Sequence, residues 1–135
     1  MSDGGAALLL CSEAALAELG IPIERCVEVK GFSVATGNLY EDSDPTCLHT
    51  TAVAANRAFA QAGVHPSAMG VAEVHDCFTV TEMLMLEAIG IASRGGGAHM
   101  VRNGDLQLSG KLPTNTCSAG IGRIKISSEN ICIVT

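Results

Sequence analysis

Ala6-Ala7-Leu8-Leu9-Leu10-Cys11 is an unbroken apolar run, and Val80, Met83, Leu84, Met85, Leu86 and Ala88 leave a second segment with little polar surface. A strand covered on both faces reads as a continuous apolar run, and a helix that is apolar all round is a buried one. A chain with such segments must fold in layers, with neighbours on both sides of its central elements. The material for that core is aliphatic. Hydrophobic residues make up 47% of the 135, but aromatics only 3%, with three Phe, one Tyr and no Trp. With 16% charged residues, wholesale disorder is excluded, and the length fits one domain or a piece of one.

The remaining segments alternate between strand and helix. After the strand 6–11, Ser12 is placed to cap a helix over Ala14–Leu19, which Gly20 and Pro22 stop. Cys26 to Ala35 reads as the next strand: Val27 and Val29 alternate with Glu28 and Lys30, and the phase shifts by one at Gly31, to Phe32 and Val34. A glycine at a phase shift predicts a bulge or bend. Gly37 to Thr46 is loop. A helix is expected over Thr50–Ala62, with Ala52, Ala55, Phe59 and Ala62 as its apolar stripe and Asn56, Arg57 and Gln61 facing water, ended by Gly63. Gly70–Val74 reads as a third strand. Thr79 and Glu82 have capping-box spacing, which predicts a helix over Thr79–Ile89 with Gly90 as its stop. Ser93–Gly110 reads as irregular, and Ile121–Ile126 with Ile131–Val134 as a hairpin. The order β-α-β-α-β-α defines an α/β fold with right-handed crossovers.

The formal net charge of −6 and the lack of aromatics provide neither a basic footprint nor a stacking platform, so nucleic acid is excluded as the main partner. No apolar run approaches the ~20 residues that span a bilayer. The N-terminus lacks the basic region of a signal peptide, and the C-terminus is no retention or peroxisomal tripeptide. Six cysteines stand at 11, 26, 47, 77, 117 and 132, none spaced as C-x-x-C, so reduced thiols in an intracellular protein are expected rather than a zinc site or a disulfide framework.

The sharpest chemical signal is His75-Asp76-Cys77-Phe78, between a strand and a helix. In α/β folds, reacting groups gather where strands end. An imidazole there can donate an N–H to a developing oxyanion, Asp76 sits where a helix N-terminus favours negative charge, and a thiol at Cys77 would be acidified if it faced that terminus. The structural alternative is a strand end, a cap and a core thiol. Cys77 two residues from His75 is poorly placed for a nucleophile–base pair. Arg94-Gly95-Gly96-Gly97 resembles a phosphate cradle in composition, but no helix is evident after it, and a loop is the simpler reading. His49, His65 and His99 read as surface or turn residues.

Taken together, several segments resemble one family. Asp3-Gly4-Gly5-Ala6-Ala7 with Ser12-Glu13 is similar to the end of the first half of thiolases. Ala72-Glu73-Val74-His75-Asp76-Cys77-Phe78-Thr79, then Glu82-Met83-Leu84 and Glu87-Ala88-Ile89-Gly90, resembles the H-D-C-F stretch of sterol carrier protein X-type thiolases and their bacterial and protozoan relatives. Gly104-Asp105 and Ser109-Gly110-Lys111-Leu112-Pro113-Thr114-Asn115 resemble the next conserved segment of those thiolases. The resemblance implies half of a layered thiolase-like fold: residues 1–20 as a remnant of the N-terminal half, 21–115 as an incomplete C-terminal domain, and 116–135 as a divergent tail. It implies acyl transfer to or from coenzyme A, with coenzyme A thioesters as substrates, in fatty-acid and lipid metabolism. By the same match His75 stabilises the oxyanion of the thioester enolate, and Asp76 and Phe78 support its loop. Cys77 occupies a position that is not the family's nucleophile.

The departures are equally specific. The family's nucleophilic cysteine, the histidine of its G-H-P motif and the cysteine of its C-x-G loop have no match here, and Cys132 is followed by Ile133-Val134. The chain is therefore expected to be inactive alone and to associate, with itself or another chain, through exposed apolar surface. The alternatives from other classes are a non-catalytic binding or dimerisation module acting on a full-length thiolase, and an unrelated α/β enzyme using one thiol. Residence in peroxisome or mitochondrion is expected of a eukaryotic member, and in the cytoplasm of a bacterial one.

Overall fold

A computed structural model describes residue 7 and residues 9–38, 44–116 and 131–134. The fold is mixed α/β, consistent with part of a thiolase-like fold. In chain order it contains α1 (Glu13–Glu18), β1 (Val29–Ser33), α2 (His49–Ala62), α3 (Thr79–Ala88), α4 (Gly97–Asn103) and β2 (Ile131–Val134). Short 3-10 turns occupy Ile23–Arg25 and Pro66–Ala68.

α1 begins as its sequence predicts, with the Ser12 hydroxyl accepting from Ala15 N at 3.3 Å. β1 and β2 pair in parallel, Phe32 with Ile133 and Ser33 with Val134, and the register slips between Val29 and Gly31. The bulge implied by the phase shift is thus present. The expected hairpin is not how 131–134 pairs: its partner is β1, and its predicted mate 121–126 lies outside the described residues.

α2 lies across β1 and is turned relative to the expected stripe. Ala55 and Phe59 are buried as expected, but Ala54 and Ala58 complete the covered face while Ala52 and Ala62 are half-buried. The cause is Gly31. A Cβ there would overlap the Ala58 carbonyl oxygen, so only glycine lets the α2 backbone descend onto the strand. Gln61 is exposed as expected, and its Oε1 accepts from Phe32 N at 3.0 Å. Gly63, at φ 65°, ends the helix as predicted.

Among the described residues, two predicted strands are not formed. Described residues 7 and 9–11 have no strand structure, and Leu9 and Leu10 are exposed; Ala6 and Leu8 fall outside the described residues. In 70–74 the pairing is one parallel bridge, Ala72 to Thr114. Conversely, α4 stands where the sequence predicts irregular chain. Its glycine-rich approach hides a seven-residue helix, whose first residue, Gly97, has no room for a side chain beside Met83 of α3.

The second packing centre joins Ala72, Leu86 and Leu112, with Met69, Ile89, Ile91, Met100 and Leu106 against it. It is aliphatic, as the composition requires. α3 is less enclosed than its sequence predicts: Leu86 is wholly buried, but Val80 is half-exposed. Among the described residues no helix is long and apolar enough to cross a membrane.

Gly31→Ala tests the first centre. Overpacking a tight contact typically costs about 1–3 kcal/mol, so a loss in that range is expected in urea denaturation. A loss under about 0.5 kcal/mol would show that α2 is not seated on Gly31.

Candidate functional site

His75, Asp76, Cys77 and Phe78 form one exposed loop between the Ala72 bridge and the start of α3. The chain enters this loop from a short parallel pairing. Ala72 N donates to Pro113 O at 3.0 Å, and Asn115 N donates to Ala72 O at 2.9 Å. Val74 N then donates to Asn115 Oδ1 at 2.8 Å. The chain leaves the loop through Phe78, which is extended (φ −133°) and is the N-cap of α3.

That start corrects the capping box. Thr79 is the first helical residue rather than the cap, and no side chain caps this end. Phe78 takes the cap position because it keeps a β-type backbone. Glu82 still lies in the first turn, where its charge complements the helix dipole. Cys77 Sγ lies 3.8 Å from Thr81 Oγ1, one helical turn on. Phe78 is 71% exposed.

Beside the loop, Phe59, Met69, Val71, Val74, Met85 and Ile89 line an open cleft with largely apolar walls. Cys11, Cys26, Cys47 and Cys77 are free thiols; Cys117 and the side chain of Cys132 lie outside the described residues. Among the described residues no three His, Cys, Asp or Glu side chains group as metal ligands would.

The glycine segment 94–97 does lead into a helix, against expectation, yet that end is already occupied by the chain itself. Glu87 Oε1 accepts from Gly97 N at 3.1 Å. Two other histidines serve turns and surfaces: His65 Nδ1 meets Ser67 Oγ at 2.8 Å, and His99 Nδ1 lies 3.3 Å from an Arg102 nitrogen.

Arg94 holds the loop before α2 in place. Its Nη2 donates to Asp44 Oδ2 at 2.8 Å and to Thr46 Oγ1 at 3.0 Å, and Thr46 donates to Asp44 Oδ1. The Thr46 hydroxyl, then the Arg94 guanidinium, lower the Asp44 carboxyl from 3.8 to about 2.

Asn115 enters the sequence reading only as the last residue of a motif. The structure brings it to the loop. Its backbone is left-handed (φ 53°), the one non-glycine residue with positive φ among those described. A signal for this exists in the residue type: asparagine is a side-chain-bearing residue that visits this region readily.

The chain has counterparts among known proteins. Residues 31–130 match the family described as Thiolase C-terminal domain-like, and the chain belongs to that family. It is 32% identical over 117 residues to the acetyl-CoA acetyltransferase of Methanothermobacter thermautotrophicus, covering 85% of this chain and 30% of that protein. It is 31% identical over 119 residues to sterol carrier protein 2 of Homo sapiens, covering 84% and 22% respectively. Among solved structures, a chain of the Ltp2-ChsH2(DUF35) aldolase superposes with a TM-score of 0.61 at 27% identity, covering 66% of this chain and 25% of that one. The chain thus spans about a fifth to a third of the length of these proteins.

The Asp44 cluster yields a pH prediction. A carboxyl whose pKa falls on folding stabilises the folded state above its unfolded value, and that contribution is lost as pH drops through the folded value. The stability difference between wild type and Asp44→Asn should be constant above about pH 5 and shrink between about pH 4 and 2. Chemical denaturation across that range checks it, and a difference that does not vary with pH would refute it.

Proposed function

We propose that this chain supplies the enolate-stabilising part of a thiolase-type site of the H-D-C-F, sterol carrier protein X kind, acting on coenzyme A thioesters. The observation that supports it is the single exposed loop His75–Phe78, held between a strand end and the start of α3 in a member of the thiolase C-terminal family. Breaking the bond between the α and β carbons of a 3-oxoacyl thioester leaves an electron pair on the α carbon. That pair delocalises onto the thioester oxygen. An N–H of the His75 ring directed at this oxygen stabilises the charge in the transition state more than in the ground state. Asp76 and Phe78 act as supports of the loop.

The same role serves either reaction named among the relatives, since one is an acetyltransferase and another an aldolase. Acyl transfer needs a thiolate that accepts the acyl group and passes it to coenzyme A. Within these 135 residues we assign that role to none of the cysteines. Residues 21–115 form the thiolase-like part, with 1–20 belonging to a preceding half and 116–135 diverging. Residence is in a peroxisome or mitochondrion for a eukaryotic member and in the cytoplasm for a bacterial one. The chain is then inactive by itself, and purified chain should give no coenzyme A-dependent thiolysis of a 3-oxoacyl-CoA. Detectable turnover would sink this part of the reading.

An antibody against residues 71–90 should detect a native product several times larger than 13.8 kDa. In that product His75→Ala should lower kcat about 100- to 1,000-fold with KM little changed, the usual cost of one oxyanion donor. A fall of less than about tenfold, or one confined to KM, would remove His75 from the chemistry.

The association reading has its own observation. Gly31 faces α2, so Phe32 lies on the opposite face of β1, and it and Val34, the residue just beyond the strand, are 64% and 65% exposed. Large apolar side chains grouped in this state favour pairing with another surface. Purified chain should sediment as an oligomer, and Phe32→Ser with Val34→Ser should shift it to monomer. A wild-type monomer at high concentration would refute association through this face.

A further inference from the structure

We propose that Asn115 is the positioning residue of the His75–Phe78 loop, its side-chain oxygen standing in for a missing backbone carbonyl. In a parallel ladder centred on Ala72 and Thr114, Ala72 N donates to the carbonyl of residue 113, and its carbonyl accepts from the amide of residue 115. Both bonds are present, at 3.0 and 2.9 Å. The next bond of a regular ladder would run from Val74 N to the backbone carbonyl of Asn115. That bond is replaced: Val74 N donates to Asn115 Oδ1 at 2.8 Å.

The left-handed backbone of Asn115 (φ 53°) takes the chain out of the strand direction, which explains why the pairing stops after one bridge. The side chain then supplies the acceptor that the departing backbone no longer offers. An unpaired amide at half-buried Val74 would be costly, and it would free the residue directly before His75. A second link, Thr116 Oγ1 to Glu73 Oε1 at 3.3 Å, joins the same two segments. Asparagine therefore does two things at one position: it accepts the left-handed turn, and it fixes the last residue before the loop. The functional consequence rests on the role given to His75 above; the bond itself does not.

Two substitutions separate these contributions. Asn115→Gly keeps the left-handed backbone and removes the acceptor. Asn115→Asp keeps both. In the labelled 135-residue chain, Asn115→Gly should speed Val74 amide exchange roughly threefold to tenfold and shift the His75 and Phe78 resonances. The denaturation midpoint should fall by no more than the loss of one part-buried hydrogen bond implies, and Asn115→Asp should restore the wild-type exchange and resonances. Exchange that rises uniformly over all amides, or a Val74 amide unaffected by Asn115→Gly, would overturn the proposal. A measurement on wild type guards against a variant that fails to fold. A through-bond coupling from Val74 nitrogen to Asn115 Cγ is expected, and a coupling to the Asn115 backbone carbonyl instead would overturn it. Neither measurement depends on activity, so the His75→Ala kinetics can fail without these failing.

Discussion

Leu86 is the point on which the second half of the described fold depends. Its side chain is fully buried against Ala72 and Leu112, and its carbonyl accepts from both Ile91 N and Ala92 N at 3.1 Å. One residue thereby fixes α3, the turn after it, the segment before the His75 loop and the segment leading to Asn115. Because interiors pack at crystal-like density, a smaller side chain here would leave a void that its neighbours fill only in part. The position of the loop depends on this contact, because Ala72 is held by Leu86 on its buried side and by its bridge to Thr114 along the ladder.

The first centre is governed by absence of bulk rather than by bulk. Gly31, Ala54 and Ala58 let α2 and β1 approach closely, and a side chain at Gly31 would not fit between strand and helix. Such a contact covers only one face of the sheet, which has two strands among the described residues. The other face keeps Phe32 in water, Val34 just beyond the strand is exposed as well, and α3 keeps Val80 half in water, although its sequence is that of an enclosed helix. The mismatch between an interior sequence and a partly exposed element has one physical meaning: those surfaces are suited to a covering layer. This agrees with a chain that spans a fifth to a third of its relatives.

What could be read from the sequence was local. The Ser12 cap, the Gly63 stop and the bulge at Gly31 each arise from one residue's own conformational or hydrogen-bonding preference, and each is present. What could not be read was decided by partners distant in sequence. Nothing near Ile131 indicates that β2 pairs in parallel with β1. Nothing in Gly70–Val74 indicates that its ladder ends after one bridge, because Asn115 decides that from the other side. α4 was hidden for a third reason. Glycine is a poor helix former, yet Gly97 is required by the closeness of Met83, so tertiary packing overrides propensity there. The candidate loop was legible through its four residues, but the side chain that holds it was not.

The exposure of that loop bears on its chemistry. A hydrogen-bond donor stabilises a developing oxyanion strongly where water is excluded and the local dielectric is low; in water the same donor competes with solvent. His75 and Phe78 stand in water in this chain. On the proposed role, the N–H of His75 becomes effective only when a further layer closes over the loop and dries it. Inactivity of the chain alone would then have two independent causes, an acyl-accepting thiol not assigned among these residues and a donor left in a high dielectric. They differ in what would relieve them. A thiol added in solution could replace the first, but only a protein surface seated over His75 and Phe78 could replace the second.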